Sequence, residues 1–507
     1  MAVEHLKSSQ AASLAEPRSQ MWLIFALFAL STLPCLAFQY LPMTDLPQHE
    51  AIVSIMRHMH DPSYGFDRYY QWALGRTLYV FPYFLAVLLA FVVPVRLALH
   101  LVVFIAALSY PLGVLLTLRA LKRPLWISLL ALPLVYNRAF FWGFVNFNLG
   151  MGIAFIALSL LVGVWSNKKG IIVALLCLLS AVTHVYGLLL LASYVVVWFL
   201  CGDRRALLFR VVWMLPAFAA LAAWALFAAN APGYGITEWL PFELRLKELG
   251  HSIFGGYVGS SEDYVLLGLL VVLLVVSFRS LPITISRWRR LGVHGRASTL
   301  LVLANLVAYF LLPMATPTAK FIHFRHAVIA AMLLPLVVAA AELPKHRRLA
   351  SVASVVVALA AAGNTWWHFN LFEHEAHGFD AILAAVPERA NIVQLTYDSK
   401  GGILRSHAYL HFGAYAQARK GGVIAVSFPI LFWNIPLKAR ENTDRPDTPK
   451  NLEWAPGRYS ERRMGNFYDT ILVRQKGVEA VPLYLTRAYD VVASSGPWKL
   501  LHRAGPR

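Results

Sequence analysis

Apolar positions in this chain come in long unbroken blocks, not in the alternation of a half-buried strand or the three-to-four spacing of a surface helix. Runs long enough to fill a bilayer core of about 30 Å, which takes roughly 20 helical residues, lie at 21–41, 78–95, 97–118, 125–141, 144–165, 171–201, 211–229, 264–278, 299–313, 327–343 and 349–366. The 171–201 run would be about 46 Å long as one helix. It is therefore either a strongly tilted span or two shorter helices broken near Thr183-His184-Val185-Tyr186-Gly187. This pattern predicts an all-α polytopic membrane protein of about 11–13 transmembrane helices. After Trp366 the pattern changes. Strand-like runs at 391–397, 422–428 and 469–474 alternate with candidate helices at 379–386 and 408–420 and a polar loop at 440–458. That alternation predicts a small C-terminal α/β domain. The expected domains are a cytoplasmic tail 1–20, a multispanning domain 21–366 with an outer loop 42–77, and a soluble extracytoplasmic domain 367–507.

Composition agrees with the blocks. Of the 507 residues, 58% are hydrophobic and only 14% charged, with mean hydropathy +0.58, far from the roughly 25% charged residues of soluble domains. The first run is too long for a cleaved signal and reads as a signal anchor, placing the protein in the cell (inner) membrane as a multi-pass chain. Cys35, Cys177 and Cys201 fall in or at the end of apolar runs and read as small buried hydrophobes. Arg279, Arg287, Arg289, Arg290 and Arg296 share one loop, and Lys345, Arg347 and Arg348 another. The positive-inside rule makes both cytoplasmic, with the C-terminal domain outside. Two further basic loops, 119–124 and 166–170, then fall outside with eleven spans, against the same rule. The excess of 45 Lys+Arg over 26 Asp+Glu reads as loop charge facing anionic membrane lipids. No basic and aromatic stripe points to nucleic acid.

The stretch MTDLPQHEAIVSIMRHMH, residues 43–60, follows directly on the first run. Thr44 or Asp45 is placed to cap a helix with Pro47 in its first turn, and Ala51, Ile52, Ile55, Met56 and Met59 would form one apolar face lying in the membrane interface. Capping needs one short polar side chain, yet Asp45, His49 and Glu50 gather within two turns. HEAIV lacks the second histidine of a HExxH zinc site, so that metalloprotease reading fails. In TAKFIHFRHA, Lys320, His323, Arg325 and His326 place four cationic or titratable groups in seven residues of an expected outer loop; snorkelling toward lipid headgroups would explain them too. His184 and Tyr186 are polar groups inside an apolar run, either functional or at a hinge. NRAFFWGFVNFNLG sets Arg138 and three asparagines among aromatics, as a groove lining or an interfacial belt would. A second carboxylate is expected from the loop 230–263, which carries Glu238, Glu262 and Asp263. Glu373, His374, His377 and Asp380 read as a solvated helix face.

A signal anchor, an outer loop opening on an acidic residue, many spans and a final outer domain resemble the membrane-embedded GT-C glycosyltransferases, which use polyprenyl-phosphate sugars. TDLPQHEA, LLALPLVYNRAFFWGFVNFNLGMGIAF and THVYGLLLL resemble an uncharacterised bacterial multispanning branch grouped with that superfamily. The resemblance implies transfer of a sugar from a polyprenyl-phosphate donor to an extracytoplasmic glycan or lipid acceptor. Asp45 would be the general base, and by its spacing His49, one turn on at i+4, is placed to orient it or the acceptor. Glu50, Lys320, His323, Arg325, His184, Tyr186 and Arg138 would bind substrate, with Lys320 and Arg325 on the lipid phosphate. The loop lacks the family's paired acidic pattern, so no metal ligand is assigned and a divalent cation stays an open cofactor. A lipid or solute carrier (flippase) and a non-catalytic membrane assembly protein are the alternatives; the absence of a repeated half argues against the carrier.

Overall fold

The computed structural model describes residues 18–202, 204–228, 236–259, 261–262, 264–265, 268–269, 271–272, 288, 291–317, 319–340, 347–476 and 481–504. Residues 1–17 of the N-terminal tail, Asp263, Arg279, Arg287, Arg289, Arg290 and Lys345 lie outside them. The described chain is mostly helical. Six helices are long and apolar enough to cross a membrane: Val95–Ala120, Val145–Val162, Leu207–Ala228, Val293–Leu311, Ile322–Ala339 and Arg348–Ala376. The last runs on past Trp366, the expected start of the C-terminal domain. Val196, Leu200, Leu226, Phe227, Leu303 and Val307 are among the large apolar side chains left exposed, as expected of helices whose outer faces meet hydrocarbon.

Several apolar runs form other elements. Run 21–41 becomes Arg18–Thr32 followed by the short turn of helix Pro34–Ala37. Run 125–141 becomes a 3-10 stretch, Leu125–Leu134, and a four-residue helix, Arg138–Phe141, with prolines at its entry and at Pro133 working against a continuous α-helix. Run 78–95 holds only Phe81–Leu89, about 14 Å long and under half a bilayer core. Run 171–201 is two helices, Asn167–Thr183 and Val185–Cys201, separated by His184 in extended conformation.

Two of these differences offset one another. Ala120 packs against Gly163, Arg210 donates to the Leu161 and Gly163 carbonyls, Gly170 abuts Trp213, and Arg296 donates to the Cys201 carbonyl at 3.0 Å. These contacts gather the helix ends at 120, 163, 170, 201, 210 and 296 together. Val80 donates to the Val182 carbonyl, Asp45 to that of Trp142, and Glu238 to that of Ala315, at the opposite end. With 78–95 staying at that opposite end and 171–201 passing twice, the basic loops 119–124 and 166–170 join Arg296 at one end of the bundle. The conflict in the positive-inside count came from counting the first as a span and the second once.

The C-terminal region carries a five-stranded sheet of order β3-β2-β5-β7-β6. β2 (Asn391–Thr396) pairs in parallel with β3 (Val423–Ile424) and β5 (Thr470–Arg474); β7 (Trp498–Arg503) runs antiparallel to β5 and to β6 (Tyr489–Ser495). The β6–β7 hairpin turns at Gly496 with φ +53°. β1 (Tyr70–Trp72), in the first loop, pairs antiparallel with β4 (Leu437–Ala439). The first loop and the C-terminal region are therefore one folded body.

The helix Leu46–Arg57 lies in the middle of that body. All of Leu46 to Met56 is buried, so it is an internal helix rather than one lying in the membrane interface. Its polar face meets the C-terminal region: Gln48 donates to the Val426 carbonyl and accepts from the Phe428 N–H, Ser54 donates to the Ala418 carbonyl, and Arg419 Nε donates to Glu50 at 3.3 Å.

Candidate functional site

Asp45 occupies the N-cap position of Leu46–Arg57, but its side chain makes no capping hydrogen bond. Pro47 at the helix start already removes one orphan donor. The carboxylate turns instead toward the C-terminal region, where His411 Nδ1 stands 3.8 Å from Asp45 Oδ1 and His411 Nε2 stands 3.6 Å from Glu453 Oε2. Side-chain exposure is 16% for Asp45, 4% for His411 and 13% for Glu453. Burial pushes the Asp45 carboxyl well above the usual carboxylate range, and the Glu453 charge adds to it. Burial also raises Glu453, against the pull of Lys320 and a hydrogen bond from Trp454. His411 is pushed down to about 3 by burial, with His49 adding to it. A largely buried carboxylate with raised proton affinity is a stronger base than a free one.

His411 is set by the turn before the helix Ala414–Lys420. Gln394 on β2 pins that turn, accepting from the Gly413 N–H and donating to the Tyr409 carbonyl at 2.8 Å. The helix expected from 408 therefore starts only at Ala414. Asp45 is set by the turn after Arg138–Phe141: its N–H donates to Trp142 O at 3.2 Å, and Gly143 lies against it with φ +86°.

His49 does not orient Asp45 as expected. Its Nε2 bonds the Gly143 carbonyl at 3.0 Å, which can only accept, so Nε2 carries the proton and Nδ1 accepts from the Tyr83 hydroxyl at 2.8 Å. Burial pushes its pKa down to about 4, in keeping with a neutral ring. His49 holds the turn behind Asp45. Glu50 is likewise not open to substrate: it is buried and paired with Arg419.

No protein-family model matches this sequence, and no curated protein matches it.

The basic cluster of residues 320–326 is divided by a helix that begins at Ile322, so His323, Arg325 and His326 lie on that helix and not in a loop. Lys320 is exposed and acts on Glu453. His323 packs on Tyr309 and His326 bonds Asn305. Arg325 lies over the rings of Phe144 at 4.7 Å and Tyr186 at 5.6 Å. Tyr186 also meets His326 and Phe147, and His184 stacks on Tyr79 at 4.6 Å while accepting from the Tyr186 N–H. Arg325, His184 and Tyr186 thus share one aromatic cluster. Phe144, Phe321 and Trp142 link it to the turn beside Asp45, with Trp142 and Phe321 4.4 Å apart. Arg138 pairs with Glu248 at 3.8 Å and lies over Phe324, which stacks on Phe144 of the same cluster.

Among the described residues the second carboxylate at this point is Glu453; in the loop 230–263, Glu262 instead accepts from the Gly256 and Tyr257 N–H groups, and Asp263 lies outside the described residues. Sequence reasoning missed His411 and Glu453. His411 sits in an apolar run, and the signal for Glu453 was its place beside Trp454 in a polar loop. Among the described residues no group of three His, Cys, Asp or Glu side chains could hold a metal ion. An open cleft of about 620 Å3 lined by Val258, Tyr264, Gly363, Trp367 and His368 includes none of the Asp45 cluster.

Proposed function

We propose that this protein is a membrane-embedded GT-C-type glycosyltransferase, moving a sugar from a polyprenyl-phosphate donor to an extracytoplasmic glycan or lipid, with Asp45 as general base. The observation that carries the reading is Asp45 itself: a largely buried carboxylate at a helix start that caps nothing and faces His411, whose other ring nitrogen faces Glu453. In this mechanism the acceptor hydroxyl attacks the anomeric carbon as Asp45 takes its proton, and the lipid phosphate leaves. Arg325, over Phe144, and Lys320, next in sequence to Phe321, meet the phosphate charge. The rings of Trp142, Phe144 and Phe321 offer apolar faces to the sugar and the first prenyl units. The described residues do not form a metal-ligand set, and no step runs through a cation.

The basic ends support the sidedness of this reading. Arg119, Lys122, Arg123, Lys168, Lys169, Arg210 and Arg296 gather at the end of the bundle opposite Asp45, which the positive-inside rule assigns to the cytoplasm. Asp45 and the C-terminal region then face outward, where a flipped lipid-linked sugar is found.

The test is donor consumption by purified protein in nanodiscs containing polyprenyl-phosphate sugars, with Asp45→Asn as the control. Loss of roughly 10²-fold or more in single-turnover rate, with folding and donor binding kept, is expected. Near-normal transfer by folded Asp45→Asn removes Asp45 as base, and vectorial movement of the donor without bond cleavage replaces the enzyme with a carrier.

A further inference from the structure

Both ring nitrogens of His411 are buried without a hydrogen-bond partner, and so is Glu453 Oε2. Native proteins rarely leave such atoms unsatisfied unless they serve a task. Two carboxylates face the ring, one toward each nitrogen, each less than 1 Å beyond hydrogen-bonding distance. The ring of Phe428 closes another side edge-on at 5.4 Å. Titratable and charged groups reach this point from four elements. Asp45 and His49 come from the first loop and its helix, His407 from the turn that carries His411, Glu453 from the loop before Trp454, and Lys320 from the loop before Ile322, acting on Glu453. His49 and His407 have partners of their own, the latter through Ser399 at 2.7 Å.

We infer that His411 is a proton relay joining Asp45 to Glu453, through which the C-terminal region returns to solvent the proton that Asp45 takes from the acceptor. The inference rests on the reading of Asp45 as base. The proton count closes. The acceptor O–H gives its proton to the Asp45 carboxylate. In one concerted step the resulting acid passes it to His411 Nδ1 while His411 Nε2–H passes its own to the Glu453 carboxylate, so the ring stays neutral, and Glu453 releases the proton to water. A half-turn of the imidazole restores a bare nitrogen toward Asp45 and an N–H toward Glu453. Glu453 is the exit in this scheme because its side chain keeps 13% of its surface open to solvent, next to Trp454, which is 42% exposed. The relay also explains why the first loop and the C-terminal region are fastened together, since neither contains all three groups.

The test uses the full chain in nanodiscs and has two arms. In the first, infrared difference titration follows the Asp45 carboxyl band, assigned with Asp45→Asn and Glu453→Gln. Coupling through His411 predicts that the Asp45 midpoint moves by about one pH unit or more in both Glu453→Gln and His411→Gln; unchanged midpoints overturn the relay. In the second, single-turnover transfer by His411→Ala is slowed about 10²-fold, with donor affinity unchanged, and added imidazole restores it at least about tenfold. An undiminished rate, or a slowed rate that imidazole does not restore, overturns the relay in favour of a packing role. His411→Gln keeps the volume if the alanine variant does not fold. The first arm needs no turnover, so a failure of the transferase reading is distinguished from a failure of the relay.

Discussion

His49 Nε2 donates to the Gly143 carbonyl at 3.0 Å, one residue from the carbonyl that receives the Asp45 N–H. The turn Trp142–Gly143 is thus held from both ends of one helical turn, and Asp45 has no freedom to drift from it. Gly143 has φ +86°, and a Cβ there would stand 2.8 Å from the Asp45 nitrogen. Gly143→Ala should therefore cost about 1–3 kcal/mol and displace Asp45, lowering the transfer rate more than donor affinity. Thermal melts paired with donor-binding and rate measurements check it; a variant with normal stability and rate would show that the turn tolerates the side chain.

Arg325 lies over two aromatic rings with its Nε buried and unpartnered. A guanidinium stacks on rings and grips phosphate with two parallel bonds, whereas an ammonium is a point charge. Arg325→Lys should weaken polyprenyl-phosphate binding by about tenfold although the charge is kept. Equal donor affinity in wild type and Arg325→Lys would exclude Arg325 from the phosphate site.

Glu50 and Arg419 join the first loop to the C-terminal region across 369 residues of sequence. Removing one partner leaves the other buried, so Arg419→Ala should destabilise by about 3–5 kcal/mol, whereas Glu50→Leu with Arg419→Met should recover most of the loss. Denaturant or thermal unfolding of the single and double variants measures the coupling, and additive losses would mean that the pair is not the joint.

Burial raises the carboxyls of Asp45, Glu50 and Glu453 above their ordinary values of 3.8 for Asp and 4.5 for Glu. Over the interval between those values and the raised ones, the folded chain keeps protons that the unfolded chain releases. Stability is therefore full below the ordinary values and falls as pH rises through the raised ones, by up to about 1.4 kcal/mol per pH unit for each group. The buried rings of His49 and His411, held low, contribute the opposite slope, so the quantity to read is the melting temperature of the wild type relative to Asp45→Asn, which should fall as pH rises above the ordinary Asp value. A relative melting temperature that rises instead would show that Asp45 ionises easily in the folded chain.

Lys122 and Lys169 lie at the basic end of the bundle and Lys320 at the opposite end. With Cys35, Cys177 and Cys201 replaced by alanine, a membrane-impermeant maleimide added to intact cells should label Lys320→Cys and leave Lys122→Cys and Lys169→Cys unlabelled. Alkaline phosphatase fused after Arg507 should be active. The reverse labelling pattern would invert the topology and remove the outer active site.

The sequence by itself determined what hydrophobic blocks, breakers and charge can determine. Long apolar runs fixed most of the helices, since only a helix satisfies its backbone without water, and β-rich runs located β2 and β5. The stretch after Met43 was legible as polar and unusual, and Asp45 was picked out there. What the sequence could not state was which polar groups meet. Glu50 was expected at the substrate and is instead bonded to Arg419, and Gln48 and Ser54 of a helix expected to lie in the membrane interface are bonded to Val426 and Ala418. His49 looked like a partner for Asp45 by its spacing, yet the approach of Gly143 and Tyr83 engages both its nitrogens. Likewise 78–95 had the length of a span, but Phe81–Leu89 is a helix of nine residues. His411 and Glu453 lie more than 360 residues from Asp45, in runs whose local pattern says only apolar turn and polar loop. They reach Asp45 through the pairing of β1 with β4 and the docking of the helix Ala414–Lys420, contacts between distant parts of the chain that leave no local periodicity to read.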